Sequence, residues 1–271
     1  MCTESAALSN RYPEGFRPEA LTGAAPGPLL AHRSRRRFSD RPVTEADLTS
    51  LFVTAQSAPT SSNLQLWTVI HATDPALRTR LRALCGGQQM LTAAPVLLVW
   101  VADPSRDAVI ARQHGGTGAT AGLLETTLTA VVDVTIAAQT LFAAAELHGM
   151  AGCYIGGARN HPEELATELS LPRGAFAVFA MALGWPDSGD TAAVRPRLPL
   201  RSVVHSNTYR PIQPEEVAAF DAATTGYYRT HGRADHQSWI RQITDRLTDP
   251  ATMHGREQLV QELRDLGVGL G

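Results

Sequence analysis

The chain has 271 residues, 44% of them hydrophobic, and a net charge of -2. That supplies core for one large domain or two small ones. The near-neutral balance gives no electrostatic ground for nucleic acid or an acidic membrane as partner. Three widely separated cysteines make neither a disulfide framework nor a metal-ligand cluster, so no metal is expected and a reducing cytoplasm is the simplest compartment.

Residues 1–27, polar and rich in Pro, Gly and Ala, read as a loosely held arm with no signal-peptide pattern. A short helix is expected from near Pro28 through the basic segment that follows. Thr44 reads as an N-cap with Glu45 and Asp47 in the first turn, and Leu48, Leu51, Phe52 and Ala55 supply the apolar stripe of a helix that stops before Pro59. Trp67–Ala72 reads as a strand. Asp74 and Pro75 open another helix, and Gly86-Gly87 close it. Pro95–Ala102 is a continuous apolar run and hence a buried strand, too short to span a bilayer. Thr127–His148, apolar nearly all round and rich in alanine, is expected to lie in the middle of a domain or of a dimer interface. A strand at Cys153–Ile155, a helix over Pro162–Leu169 and a strand over Phe176–Leu183 follow. Three polar helices are expected at Glu215–Tyr228, Gln237–Leu247 and Glu257–Leu266. Strands and helices interleave without internal repeats, which gives an α+β or α/β chain around one sheet.

Four segments carry candidate chemistry. In His32-Arg33-Ser34-Arg35-Arg36-Arg37-Phe38, a helix would put His32 and Arg36 on one face, where His, Arg and a hydroxyl make a phosphate socket. A solvated basic face fits the same residues. Lysine is absent from the chain, so any anion site must be built from Arg or His. Thr60-Ser61-Ser62-Asn63 lies between a helix and a strand, as a ligand-facing polar loop or an ordinary turn. Gly156-Gly157 after a short strand permits close approach of backbone to a flat ligand, or marks a bulge, and the glycine spacing is not that of a dinucleotide-binding loop. In Arg195-Pro196-Arg197, extended backbone would send both guanidinium groups the same way, toward one phosphate if the stretch is more than a surface loop; His205 and Tyr209 follow it.

The succession HRSRRRFSDRPV, APTSSNLQLW, GGQQMLTAAPVLLVWVAD, VVDVTIAAQTLFAAAELHGMAGCYIGGARNHPEEL, ALGWPD, RPRLPLRSVVH and GYYRTHG resembles the nitroreductase superfamily. Within it, the chain is similar to the branch of oxygen-insensitive NADPH nitroreductases and NADPH–FMN oxidoreductases. The resemblance runs from about residue 28 to the C-terminus. It implies an α+β fold with a mixed β-sheet flanked by helices, an FMN-binding domain over 28–212, a C-terminal helical extension over 213–271 that packs on the partner or over the active site, and completion by homodimerisation. It implies FMN as cofactor, with His32 and Ser34, together with Arg195 and Arg197, at the phosphate. Arg33 would flank the flavin, Arg36 would face the N1 and C2 carbonyl edge, and Gln88 the pyrimidine edge. Thr60, Ser61 and Ser62 would close over the flavin of the partner subunit, Tyr154 and Ile155 would form a back wall, and the N–H groups of Gly156 and Gly157 would donate to N5 and O4. No side chain need act as acid, base or nucleophile, because the cofactor carries the chemistry. NADPH, with NADH as the lesser donor, would pass a hydride through the flavin to a nitroaromatic, quinone or free flavin acceptor in ping-pong order. An FMN-dependent tailoring dehydrogenase of secondary metabolism and a low-turnover flavin-binding protein fit the same scaffold. Two positions depart from the branch: Arg195 stands where lysine is usual, and His231 where an arginine that grips NADPH is usual, with Arg229 and Arg233 as neighbours able to substitute.

Overall fold

The computed structural model describes residues 27–232 and 238–269. In chain order the elements are α1 (Gly27–Leu30), α2 (Glu45–Gln56), β1 (Trp67–His71), α3 (Pro75–Leu84), α4 (Met90–Ala93), β2 (Val96–Ala102), α5 (Pro104–Gln113), α6 (Leu124–Leu147), β3 (Ala151–Ile155), α7 (Pro162–Glu168), β4 (Phe176–Gly184), α8 (Pro214–Thr230), α9 (Trp239–Thr248) and α10 (Leu259–Asp265). The described residues divide into two compact units, one of residues 34–190 with 254–269 and a smaller one of residues 27–33 with 191–232 and 238–253. This division differs from the sequence boundaries at 27/28 and 212/213. The expected arm lies almost wholly outside the described residues.

The larger unit is built on a sheet of order β1-β2-β4-β3. Every residue of β2 and β4 is buried, because both faces of these central strands are covered. Alternation along β2 sends Val96, Leu98, Trp100 and Ala102 to one face with α2 and α6, and Leu97, Val99 and Val101 to the other with α3, α4 and α7. Covering both faces turns an alternating strand into the continuous apolar run seen in the sequence. Each fully buried large aliphatic contributes about 1.5–3 kcal/mol. The expected α+β class holds, with one correction. The pairings β1–β2, β2–β4 and β3–β4 are all antiparallel, so the sheet among the described residues is not mixed.

Local signals account for the helix ends. Thr44 and Asp47 form a reciprocal capping box on α2, and Asp74 accepts the N–H groups of Ala76 and Leu77 ahead of α3. Asp103 caps α5 in the same manner, with Pro104 at the first helical position. The helix α6 is long and apolar enough to cross a bilayer by length and composition. Here its Ala130, Val134, Ala137, Ala138, Leu141 and Ala145 are wholly buried, and it packs on α2, β1 and β2. The alanines on this face let the neighbouring backbones come close.

The basic segment is not the helix expected of it. The turn α1 ends at Leu30, residues 32–37 have no regular secondary structure, and Phe38 bridges Pro186. Arg35 N–H donates to the Gly152 carbonyl of edge strand β3 at 2.9 Å, and Ser39 N–H donates to Trp185 O at 2.9 Å. A helix would stack four like charges within one turn. The irregular path separates them and gives the Gly152 carbonyl on the open edge of β3 a donor.

In the smaller unit, Glu216 of α8 is buried and gathers the neighbouring turns. Its carboxylate accepts from Gln213 N–H at 3.1 Å, from Arg201 Nε at 2.8 Å and from Arg210 Nη2 at 3.0 Å. The Gln213 N–H bond first, then the two guanidinium groups, hold its pKa down to about 2 against the cost of burial. Phe220 of α8 and Trp239 of α9 meet edge to face at 4.9 Å.

Candidate functional site

Arg35 and Arg37 both reach carboxylates of the turn that follows β4. Arg35 pairs with Asp190 at 3.1 Å and Arg37 with Asp187 at 3.0 Å. Arg36 is exposed, and among the described residues it engages no carboxylate or hydrogen-bond acceptor. Its charge is felt at Cys153 on β3, where it opposes the burial that raises that thiol to about 11. The helix face that was expected to bring His32 and Arg36 together does not form.

The glycine pair after β3 divides its labour. A Cβ on Gly157 would lie 2.4 Å from the carbonyl oxygen of Cys85 and 3.0 Å from its carbon, so only glycine fits against that backbone. The same carbonyl accepts from Gln88 Nε2 at 3.2 Å, which brings Gln88 and Gly157 together. Cys85 is pushed up to about 12 by burial and stays a thiol. A Cβ on Gly156, by contrast, would meet only the guanidinium ends of Arg159 at 3.5 Å and Arg256 at 3.8 Å. Neither a left-handed backbone nor packing within the chain requires glycine at 156.

Tyr154 and Ile155 form the strand leading to this pair. Ile155 is buried, whereas Tyr154 is half-buried, lying 5.4 Å from Phe142 and edge to face with Phe179 at 5.0 Å. Burial, and then the charge of Glu146, raise the Tyr154 phenol well above its ordinary value, so it remains a donor and bonds Gln139 Oε1 at 3.0 Å.

The loop with Thr60, Ser61 and Ser62 holds Ser62, Asn63 and Gln65 at φ of 51°, 57° and 56°, left-handed values at non-glycine residues. Ser61 and Ser62 are exposed. Among the described residues no hydrogen bond or ring contact joins Thr60, Ser61 or Ser62 to Arg36, Gln88 or residues 154–157.

The remaining expected contacts belong to the smaller unit. His32 donates its backbone N–H to Leu29 O, and the Arg33 guanidinium donates to Ala31 O at 2.9 Å. Arg195 and Arg197 are exposed on either side of the buried Pro196, the alternation expected of an extended stretch. The Arg195 guanidinium lies 5.8 Å from the Tyr228 ring, and Arg197 donates to Pro196 O at 3.2 Å. His231 follows the last turn of α8, stacked on Tyr227 at 4.3 Å with Nδ1 2.8 Å from Tyr227 O. Arg229 is exposed, and Arg233 lies outside the described residues.

Three residues at this site escape the sequence reading: Arg159, Arg256 and Asp133. Arg159 donates to Val178 O and, with Arg256, bounds the open side of Gly156. Asp133 is buried on α6 and accepts the Ser61 N–H at 3.0 Å. A cavity of about 700 Å³ opens beside α5 and the 172–174 loop, and it is lined by none of the expected flavin contacts.

Residues 29–185 match the nitroreductase family model, and 195–270 match that of the nitroreductase family C-terminal domain. The chain belongs to the nitroreductase family. An oxygen-insensitive NADPH nitroreductase of Salmonella typhimurium is 39% identical over 204 residues, 75% of this chain and 82% of that protein. The solved structure of the NADPH:FMN oxidoreductase from Vibrio harveyi complexed with NAD+ superposes with a TM-score of 0.79 at 31% identity, covering 89% of this chain and 96% of that one. Nitroreductase A from Vibrio parahaemolyticus gives 0.82 at 30% identity, with 91% and 98% covered. The family fold and its flavin fit the larger unit. Gly156 leaves a space that a side chain would fill, backbone amides stand at the end of β3, and Arg36 offers a guanidinium without an acceptor among the described residues.

Proposed function

We propose that this nitroreductase-family chain is an NAD(P)H-dependent FMN oxidoreductase that works in ping-pong order on nitroaromatic, quinone or free flavin acceptors. The open face at Gly156 carries the reading, because a glycine required neither by backbone angle nor by packing marks space kept for a flat ligand. When bound, FMN would supply the redox chemistry between the nicotinamide donor and the acceptor. The protein binds and orients. The N–H groups of Gly156 and Gly157 would donate at the N5 and O4 edge, and Arg36 would set positive charge against the N1 and C2 edge. Gln88 contacts the pyrimidine edge, Tyr154 and Ile155 back the ring, and Arg33 flanks it. His32, Ser34, Arg195 and Arg197 bind the phosphate through charge-assisted bonds. Arg229, His231 and Arg233 serve the nicotinamide donor. None of these side chains needs to exchange a proton in the slow step.

The working form is a homodimer, which brings Thr60, Ser61 and Ser62 of one subunit over the flavin of the other. On α6, Leu124, Leu128 and Val132 stand 44–53% exposed along one face, an apolar stripe suited to a second copy. The cytoplasm is the compartment that matches a reduced-nicotinamide donor and free thiols.

The test is the visible spectrum of the purified protein, followed by anaerobic bleaching with NADPH or NADH and reoxidation by a nitroaromatic or a quinone. A yellow protein that bleaches and recovers supports the enzyme. One that bleaches and returns electrons to no acceptor is a flavin carrier, and one that takes up no FMN refutes the reading.

A further inference from the structure

The helix α6 carries a carboxylate where its pattern calls for a hydrophobe. Asp133, between Val132 and Val134, is 1% exposed and faces the core side of the helix. A buried charge is costly unless strong bonds offset it. Asp133 has no ion pair with Arg or His among the described residues. What it has is two backbone donors: Ser61 N–H reaches Oδ1 at 3.0 Å, and Leu66 N–H reaches Oδ2 at 3.1 Å.

These two amides bracket the polar loop. Between them lie Ser62, Asn63 and Gln65, all in left-handed backbone, a conformation that non-glycine residues seldom adopt. Three such residues in one short loop persist only when the surroundings over-determine them. Asp133 clamps the loop from below, the buried Leu66 anchors its end, and Arg106 of α5 donates to Gln65 O and, at 3.4 Å, to Trp67 O. The outcome is a strained, fixed loop with the Ser61 and Ser62 side chains in the open. A loop that only joined α2 to β1 would have no use for this strain.

We infer that Asp133 is a positioning residue for the flavin site: its carboxylate fixes the Ser61–Leu66 loop in the one geometry that presents the hydroxyls to the cofactor. The inference rests on the functional reading above. A carboxylate suits the task because both oxygens only accept. Asparagine has the same shape but turns an N–H₂ group toward one of the two N–H donors, so one clamp opens while the core volume is kept.

The experiment compares wild type with Asp133→Asn, Arg106→Ala and, as a control for general destabilisation, Leu263→Ala in the core of the larger unit. Each variant is titrated with FMN, the band shape of the bound flavin is recorded, and kcat and KM for NADPH are measured beside the Tm of the flavin-free protein. Leaving one loop amide unpaired costs about 1–3 kcal/mol, so Asp133→Asn is expected to weaken FMN binding about tenfold and shift the band toward that of free flavin. Arg106→Ala, at an exposed position, shifts the same band and weakens binding about twofold to fivefold, which keeps the test open if the Asn variant fails to fold. Leu263→Ala lowers the Tm and leaves the band in place. The inference is overturned if Asp133→Asn, or Arg106→Ala where the Asn variant does not fold, binds FMN with wild-type affinity and spectrum, or changes only as Leu263→Ala does. A wild type that takes up no FMN overturns the functional reading and this inference with it.

Discussion

Two adjacent glycines should respond oppositely to the same added methyl group. In Gly157→Ala the new Cβ would sit 2.4 Å from the Cys85 carbonyl oxygen, with the Cys85 Cα a further 3.3 Å contact. Both are backbone atoms held by α3 and its closing turn, where Cys85 N–H bonds Leu81 O and Gly87 N–H bonds Arg82 O. The clash cannot be relieved by rotating a side chain, so the segment must shift, at about 1–3 kcal/mol for an overpacked interior. For a chain of this size that lowers the Tm by roughly 2–4 °C per kcal/mol. In Gly156→Ala the methyl meets only two guanidinium ends at 3.5 and 3.8 Å, and the φ is one that alanine adopts freely. Its Tm should stay the same or rise by an amount worth about 0.4–1 kcal/mol, because alanine restricts the unfolded chain. The same methyl occupies space assigned to the flavin, so FMN affinity should fall in Gly156→Ala although the fold is intact. Calorimetry on flavin-free protein and fluorescence titration with FMN give the two numbers. If Gly156→Ala loses as much thermal stability as Gly157→Ala, or binds FMN like wild type, the division of roles between the two glycines is wrong.

Removing one charge-assisted phosphate bond costs about 1.5–3 kcal/mol, so Arg197→Ala should weaken FMN binding by about tenfold to a hundredfold in the same titration; unchanged affinity removes Arg197 from the site. Glu216 has a folded pKa near 2 against an ordinary 4.5, so its contribution is present above pH 4.5 and is lost as the pH falls toward 2. Unfolding midpoints measured from pH 7 to 3 should drop through that window in wild type and flatten in Glu216→Gln. His231 Nδ1 is engaged with Tyr227 O, which leaves a single ring nitrogen for a 2′-phosphate where an arginine would offer a fork of donors. His231→Arg should therefore raise the ratio of kcat/KM for NADPH over NADH about tenfold, and an unchanged ratio moves the 2′-phosphate contact elsewhere.

Where a local rule governs an element, the sequence displays it. Thr44 with Asp47, Asp74 with Pro75, and Gly86 after Leu84 are complete signals within five residues, and the helices begin and end beside them. Asp103 with Pro104 is the same signal and opens α5. It is easy to pass over because the helix behind it, rich in Arg and Asp, shows little apolar stripe. The segment 32–38 fails for the opposite reason. Its i, i+4 spacing suggests a helix, but its conformation is set by the unpaired edge of β3, a partner more than a hundred residues away. An i, i+4 spacing of charged residues carries no apolar stripe, so it gives a helix nothing to bury and leaves the segment to distant contacts.

The same distinction separates the legible half of the site from the rest. The proposed contacts Arg36, Gln88 and Tyr154 to Gly157 sit in short motifs whose order along the chain resembles that of the family, so sequence alone suggests them. Arg256 reaches Gly156 from 100 positions further along the chain, a juxtaposition that only the return of the C-terminal segment to the larger unit creates. Asp133 looks like an interruption of an apolar helix, and its purpose is visible only when Ser61 and Leu66 are found at its two oxygens. A charged residue on the buried face of a helix is nevertheless a signal that sequence alone provides. Burial without a partner is too costly to be accidental, so such a residue predicts a strong acceptor or donor elsewhere in the chain before the fold says which. In this chain the partner is the backbone of a strained loop, and the carboxylate explains how a segment made of small polar residues can hold one shape.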